Sequence, residues 1–408
     1  MSKKILFFII AAILPAMASA ATVANSESGD LTWSIATGLG YDSNAYQAPR
    51  APYIDYYTGQ LLRAVNPLAT DPLIIPQRKS GFFIPYAMRM DVTKERDQDT
   101  RLIGSAAADG RFYSGAELSS ANEYNVHLHG GSEFVLGRKE KSEDTLYVGA
   151  RLGKHRKVYV DHDSGLDKTT TVSDTDISDR YNYMSIGGEA KYKHKTGEID
   201  YSFDGKYIIY DYEDPIVVSQ LDHTYYSLGG DVNVPVAAKT KLNMYAHHAA
   251  RNYSLRHALD AQGVYSSINN PLRIYTYNTY GAKLRNRLSS EWVFYLDLEQ
   301  SRRADAFVGY DDFKENKYGA RLLYEQGRFK SRLSVHHWTR DYPHAFAFDV
   351  VGQATKTYSG NTLKFKAELE QDKNSSLWAE LDYKAQNTTD LRYDYVRSQI
   401  MAGMNWTY

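Results

Sequence analysis

Hydrophobic and polar side chains alternate with a period of two in segments that recur from one end of this chain to the other. The alternation runs through residues 33–41, 82–92, 124–129, 146–153, 199–209, 292–299, 363–370, 377–384 and 399–408. In a β-strand, a period of two places the two sets of side chains on opposite faces. Repeated segments of about ten residues, apolar on one face and often charged on the other, are typical of a membrane β-barrel.

Long and short connections alternate between these segments. The long ones are residues 43–80, 158–179, 212–223, 251–272, 300–315 and 340–355, and the short ones are 94–99, 194–198, 235–240, 286–290, 325–328 and 370–376. Membrane barrels have short periplasmic turns and long external loops, whereas a soluble sandwich has no reason for this rhythm. The pattern therefore predicts an all-β fold, a single transmembrane antiparallel barrel of about 16 strands, with about 14 or 18 as alternatives.

The N-terminal residues 1–20 predict a secretory signal peptide. Lys3 and Lys4 precede an apolar run over residues 5–14, and the run is followed by the small-x-small sequence of residues 18–20. This order matches a signal peptide, and the apolar run is too short for a comfortable membrane span. We expect cleavage before Ala21 and one barrel domain over residues 21–408, with its N-terminus in the periplasm.

Composition narrows the class of protein further. The 408 residues include 35 Tyr and no Cys, with a net charge of −1 and a mean hydropathy of −0.52. Tyrosine rings suit a membrane–water interface, because one end of the ring is apolar and the other is polar. A near-neutral charge offers no argument for nucleic acid as a partner. No segment after the signal peptide is apolar for long enough to form a transmembrane helix.

The chain ends in the sequence IMAGMNWTY, in which hydrophobic residues alternate and an aromatic residue stands last. The positions that form this pattern are Ile400, Met404, Trp406 and Tyr408. The ending resembles the insertion signal of Gram-negative outer-membrane barrels, although Phe is the commoner last residue there. The resemblance implies an outer-membrane location, recognition by the barrel-assembly machinery and contact with outer-membrane lipid. We expect this last strand to pair with the first, because an open strand edge cannot lie in hydrocarbon.

A second resemblance lies at the end of the first strand, in the sequence GLGYDSNAYQAP. Tyr41, Asp42, Asn44 and Pro49 resemble the Y-D-x-N…P openings of barrels that accompany exopolysaccharide synthesis and export. Barrels of surface-lipoprotein assembly factors begin similarly, but those proteins usually also have a periplasmic helical repeat domain. The exopolysaccharide resemblance implies passage of an acidic or neutral polysaccharide, with a separate periplasmic partner.

If the apolar parity faces lipid, the other parity faces a lumen that about 16 strands leave wide enough for an aqueous channel. The lumen-lining candidates are Arg89, Asp91, Arg151, Glu189, Lys191, Asp204, Lys206, Lys283, Arg285, Arg321, Lys330, Arg332, Lys364 and Lys366. The later part of this wall is mainly basic. Such charges select solutes in many pores, but they could equally pair between neighbouring strands and only stabilise the barrel.

The first long connection, residues 43–80, is unusual because it holds five prolines and many aliphatic residues. A loop of this length is usually functional or disordered, and its apolar content disfavours disorder. The favoured hypothesis is that it folds inward as a constriction or plug, with one or two helical turns within residues 58–65. The alternative is an external cap that packs on neighbouring loops.

Catalytic and metal sites are not expected. The tripeptide Asp161-His162-Asp163 suits a protease rim only superficially, and a solvated loop is the better interpretation. The neighbouring histidines 247–248 and 336–337 should point to opposite faces, so neither pair predicts a metal site. We therefore expect no enzyme activity and no cofactor.

The function that the sequence favours is a specific or gated channel for hydrophilic solutes. The alternatives are an exopolysaccharide-export barrel and a non-conducting barrel that binds partners through external loops. The aromatic residues assigned to those loops are Tyr253, Tyr265, Tyr310, Phe313, Phe346 and Phe348. A homo-oligomer is compatible with each of these functions.

Overall fold

A computed structural model describes residues 29–139, 142–170, 174–213 and 220–408 of the chain. The signal peptide predicted at residues 1–20 lies outside the described residues. Within the described ranges, sixteen antiparallel strands close into a single barrel, which confirms the predicted fold and the favoured strand number. No helix in these ranges has the length and apolar character needed to cross a membrane.

The barrel strands follow one another around the wall in chain order, and the short strands β2 (Tyr53–Ile54) and β3 (Leu73–Ile74) lie outside the wall, in the first connection. The first eight are β1 (Gly29–Asp42), β4 (Gly81–Asp97), β5 (Thr100–Tyr113), β6 (Glu123–Lys139), β7 (Ser142–Lys157), β8 (Tyr183–Thr196), β9 (Ile199–Tyr212) and β10 (His223–Ala237). The other eight are β11 (Thr240–His257), β12 (Leu272–Arg287), β13 (Trp292–Asp305), β14 (Phe313–Gln326), β15 (Phe329–Phe346), β16 (Thr355–Glu370), β17 (Ser375–Thr388) and β18 (Tyr395–Thr407).

The apolar parity of these strands faces outward. Large hydrophobic side chains such as Leu39, Phe82, Leu152, Phe203 and Leu228 are each more than two-fifths exposed. Such exposure on every side of a soluble protein would favour aggregation, whereas on a closed barrel it forms the band that contacts lipid. Together with the closed sixteen-strand wall, this band is that of a bacterial outer-membrane β-barrel protein.

The barrel closes by pairing β1 with β18, as expected. The register runs from Ser34 opposite Thr407 to Asp42 opposite Gln399. The terminal Tyr408 exchanges backbone hydrogen bonds with Trp33, and the two rings stack with centroids 4.3 Å apart. The aromatic end of the chain therefore fixes the closing seam.

Gly38 lies directly opposite Gly403 in this seam. A Cβ atom on either glycine would overlap backbone atoms of the facing strand. The seam therefore requires glycine at both positions, because the two backbones approach too closely for any other residue.

The alternation of long and short connections is confirmed, but the strands are longer than the predicted ten residues. They contain 13 to 18 residues, because backbone pairing continues beyond the apolar band into segments that the sequence assigned to loops. The assignment of Tyr253, Phe313 and Phe346 to external loops is therefore wrong, since they lie in β11, β14 and β15. Tyr253 and Phe313 are also buried, as are Tyr310 and Phe348 in the connections.

The first connection has its own secondary structure. It contains the short paired strands β2 (Tyr53–Ile54) and β3 (Leu73–Ile74), and the helix α1 (Tyr56–Val65) between them. The Asp55 carboxylate caps α1 by accepting a hydrogen bond of 3.1 Å from the Thr58 amide, which satisfies a free donor of the first turn. The helix is thus somewhat longer than the one or two turns predicted.

Candidate functional site

The predicted lumen residues all lie on barrel strands, on the parity opposite the exposed apolar side chains. They are Arg89 and Asp91 on β4, Arg151 on β7, Glu189 and Lys191 on β8, Asp204 and Lys206 on β9, Lys283 and Arg285 on β12, Arg321 on β14, Lys330 and Arg332 on β15, and Lys364 and Lys366 on β16. Their roles in selecting a solute stay predictions.

Ion pairs between nearby positions link many of these charges. Arg89 lies 2.6 Å from Asp91, Arg151 lies 3.5 Å from Glu189, Lys330 lies 2.6 Å from Glu370, Lys364 lies 3.1 Å from Glu380, and Lys366 lies 3.7 Å from Glu368. The register also places Lys191 opposite Asp204, and Glu189 opposite Lys206. For these residues, ion pairs within the barrel wall neutralise part of the charge.

Three cations of the later wall have a different environment. The Arg285 Nε atom donates to the Tyr295 hydroxyl at 3.2 Å, and the Arg321 guanidinium lies 5.6 Å from the centroid of the same ring. Arg332 faces Lys366 in the register. In the described part of the chain, none of the three arginines has a carboxylate within 4.0 Å. This part of the wall therefore keeps an excess of positive charge.

Asp42 and Asn44 of the Y-D-x-N motif link the first connection to the seam between β1 and β18. The fully buried Asp42 carboxylate accepts hydrogen bonds from Arg397, from the Tyr113 hydroxyl at 2.6 Å and from the Gln399 amide at 2.8 Å. Asn44 donates from its side-chain amide to the carbonyl oxygens of Ala48 and Val396. Asp42 and Asn44 thus fix the start of the loop.

Beyond this anchor, residues 43–80 contact connections from both sides of the barrel. The Tyr53 hydroxyl donates to Asp163, which lies between β7 and β8, at 2.7 Å. Tyr53 and Tyr56 pack on Phe348, which lies between β15 and β16, with ring centroids 6.0 and 5.3 Å apart. The Arg392 guanidinium, from the β17–β18 connection, lies 5.6 Å from the Tyr57 ring centroid. The segment therefore bridges the extracellular mouth.

The Asp161-His162-Asp163 tripeptide is half-buried in this bridge, so its interpretation as a solvated loop is wrong. His162 Nδ1 lies 2.5 Å from the Tyr46 carbonyl oxygen, and Lys168 lies 2.7 Å from Asp161. Burial lowers the pKa of His162, and burial likewise raises the pKa of Asp163. The tripeptide ties the β7–β8 connection to the first connection.

A group of arginines and tyrosines inside the barrel, near the extracellular strand ends, is not among the site residues predicted from the sequence. A basic residue followed two positions later by Tyr recurs there, at residues 251–253, 273–275, 340–342 and 356–358. Because a spacing of two keeps both side chains on one face, each pair points into the barrel. The repeat is visible in the sequence, but two of the four pairs, 251–253 and 340–342, lie in segments that the sequence pattern assigns to loops.

No protein-family model matches this chain, and no curated protein matches its sequence. Among solved structures, the outer-membrane expressed OmpT of Vibrio cholerae has 9% identity and a TM-score of 0.44, covering 94% of this chain and 99% of its own. A bacterial polysaccharide outer membrane secretin has 8% identity and a TM-score of 0.45, covering 93% and 98%. The anion-selective porin from Comamonas acidovorans has 10% identity and a TM-score of 0.45, covering 93% and 99%. Such low values bear on neither solute nor activity.

Proposed function

We propose that this protein is an outer-membrane channel for hydrophilic solutes, gated at its extracellular mouth by residues 43–80. The observation that carries the proposal is a closed wall of sixteen strands with charged side chains on its inner parity. A barrel of about 16 strands leaves an aqueous channel unless something fills it. Polar groups that line such a space remain hydrated, which suits the passage of polar solutes. Catalysis has no part in this proposal.

The contacts of residues 43–80 are of the right strength for a gate. A hydrogen bond to an acidic side chain such as Tyr53 to Asp163 contributes ~1–3 kcal/mol, and a partly buried cation–π contact such as Arg392 to Tyr57 contributes ~0.5–2 kcal/mol. A few such contacts hold the mouth closed by only a few kcal/mol. The open state then stays populated at roughly 0.1–10% and a solute that binds it can shift the balance.

A second candidate function is favoured by the tip of the same segment. Val65 and Leu68 are 83% and 89% exposed, and Leu73 and Ile75 are more than three-fifths exposed. An exposed apolar group of this kind often marks a protein-binding surface. A non-conducting barrel that binds a partner through this tip is therefore the main rival, and export of an exopolysaccharide is a variant of the channel.

The test is single-channel conductance of the refolded protein in a planar bilayer. The intact chain is compared with a variant that lacks residues 48–76 and with Phe348→Ala, which removes the ring that packs on Tyr53 and Tyr56. Phe307→Ala is the matched control, because Phe307 is an exposed ring in another external connection.

For a gated channel, we expect rare openings in the intact protein, more frequent openings in Phe348→Ala and steady steps in the deletion variant. Phe307→Ala should behave like the intact protein. Silence in all four proteins, each shown to be folded by circular dichroism, would refute the channel and favour the surface-binding candidate. Equal conductance in all four would support a channel and refute the gate.

A further inference from the structure

Basic and tyrosine side chains surround a cavity on the inner side of the barrel, near the extracellular ends of β11 to β16. The cavity has a volume of about 310 Å³. Its lining consists of Arg251, Tyr253, Arg256, Arg273, Tyr275, Arg303, Asp311, Tyr342, Lys356, Tyr358 and Tyr393. Small-molecule sites in proteins begin at roughly 300 Å³, so the space suits one ring-sized ligand rather than a chain of several units.

The charges around this cavity are not balanced by the side chains that line it. Arg273 and Arg303 share the carboxylate of Asp311, at 3.5 and 3.7 Å. Arg251 and Arg256 have no carboxylate within 4.0 Å in the ranges that the structure describes. Four guanidinium groups therefore surround a single carboxylate, while Lys356 is paired separately with Asp349, outside the lining.

Burial makes this imbalance significant. Arg273 is only 4% exposed, and its Nε atom has no hydrogen-bond partner. The Nε atom of Arg251 is also buried without a partner. Burying a charged group is costly unless a counter-charge and hydrogen bonds compensate. An oxyanion in the cavity would supply both, because guanidinium groups match the planar geometry of a carboxylate.

Aromatic rings hold these cations in place. The Arg303 guanidinium lies 4.3 Å from the ring centroid of Tyr275 and 4.6 Å from that of Phe313. The Tyr275 hydroxyl in turn donates to the Asp311 carboxylate. Such packing reduces the conformational entropy lost on binding, which favours a preorganised ligand site.

The tyrosines also indicate what the rest of the ligand is. Tyr253, Tyr342, Tyr358 and Tyr393 line the same cavity, and each carries an apolar ring and a hydroxyl group. A ligand with hydroxyl groups around a ring of carbon atoms can use both parts of a tyrosine, whereas a bare inorganic anion uses only the cations and the hydroxyls.

We propose that this cavity, which we call the arginine–tyrosine site, binds a sugar unit that carries a carboxylate. The carboxylate is bound by the guanidinium groups, and the sugar ring lies against the tyrosines. A role of this site in transport rests on the proposed channel function. In such a channel, the site would bind an acidic saccharide at the extracellular mouth, as it enters or leaves the barrel.

The experiment measures equilibrium binding of labelled glucuronate to the folded, detergent-solubilised barrel, with glucose and inorganic phosphate as comparison ligands. The test variant is the double substitution Arg251→Gln and Arg256→Gln. Arg302→Gln is the matched control, because Arg302 neighbours Arg303 in sequence but is exposed on the opposite parity of β13. Arg332→Gln tests whether any lumen cation has the same effect. Circular dichroism checks that each variant is folded.

We expect glucuronate to bind at least tenfold more tightly than glucose and than phosphate. The double substitution should weaken glucuronate binding at least tenfold, since hydrogen bonds to charged groups are the strong ones. Both controls should bind like the intact chain. Equal affinity for glucose, equal affinity for phosphate, or unchanged binding in the double variant would each overturn the proposal.

The proposed binding site and the proposed channel can be refuted independently of each other. Glucuronate binding by a barrel that never conducts would leave the arginine–tyrosine site intact and refute the channel. Conductance without glucuronate binding would leave the channel intact and refute the site.

Discussion

The buried ion pair at the closing seam gives the sharpest stability prediction. The substitution Arg397→Met removes a guanidinium that donates from Nε to both Asp42 oxygens at 3.0 and 3.1 Å. The Asp42 side chain is 0% exposed and that of Arg397 is 8% exposed, so water cannot replace the lost donor without disrupting the packing. Breaking a buried pair in this way typically costs about 3–5 kcal/mol.

Three donors to Asp42 remain after the substitution: the Tyr113 hydroxyl, the Gln399 side-chain amide and the Asn44 backbone amide. They partly compensate the carboxylate, so we expect a loss near the lower end, about 3 kcal/mol in the free energy of unfolding. Adding Asp42→Asn to Arg397→Met should restore part of that loss, because the buried charge is then gone.

The assay is reversible unfolding by denaturant of the barrel in lipid vesicles. Arg89→Met is the control, because the Arg89 and Asp91 side chains are 63% and 40% exposed and such a pair contributes at most about 1 kcal/mol. If Arg397→Met costs no more than Arg89→Met, the Asp42 network does not stabilise the seam and the explanation of the Y-D-x-N motif fails.

Three further predictions concern the mouth, the seam and the lumen. Burial lowers the pKa of His162 in the folded protein, so the unfolded chain binds a proton at this histidine more readily and the loop contacts should weaken as pH falls below about 6.5. Smaller hydrogen-exchange protection factors of residues 43–80 at the lower pH would show this, and His162→Gln should reduce the pH dependence. Gly403→Val should prevent barrel closure and lower the yield of folded protein by more than tenfold, whereas Gly104→Ala, whose Cβ would make an ordinary contact of 3.8 Å with the His129 carbonyl oxygen, should fold normally; equal yields would contradict the close approach. Arg332→Glu, opposite Lys366, should lower the anion-to-cation permeability ratio of the variant lacking residues 48–76, and an unchanged reversal potential would exclude Arg332 from selectivity.

The barrel could be predicted from the sequence because its signal is local. A period of two needs only neighbouring residues, and segments such as 82–92 and 363–370 show it without any knowledge of pairing partners. The alternation of long and short connections then set the strand number and the sidedness. The closing pair of β1 and β18 followed from the rule that membrane sheets have no free edge.

The arginine–tyrosine site could not be predicted in the same way. Its residues come from five strands, β11, β12, β13, β15 and β16, and from two connections, so their proximity depends on the register of every pair between β11 and β16. The strand ends that hold Arg251, Arg303 and Tyr342 are also polar on both faces, because they rise above the lipid. Without an apolar face, the alternation that reveals a strand disappears, and these segments were assigned to loops.

The Asp42 network also fixes an order of events during biogenesis. Asp42 lies in the first strand of the barrel, yet two of its donors, Arg397 and Gln399, lie in the last. Until β18 has paired, the Asp42 carboxylate lacks these two donors, and the start of the first connection is held only by partners such as Tyr113 and His162. The mouth can therefore be completed only after the wall is closed, so a stalled, half-inserted chain would hold residues 43–80 by fewer contacts and leave them more exposed to proteases at the cell surface.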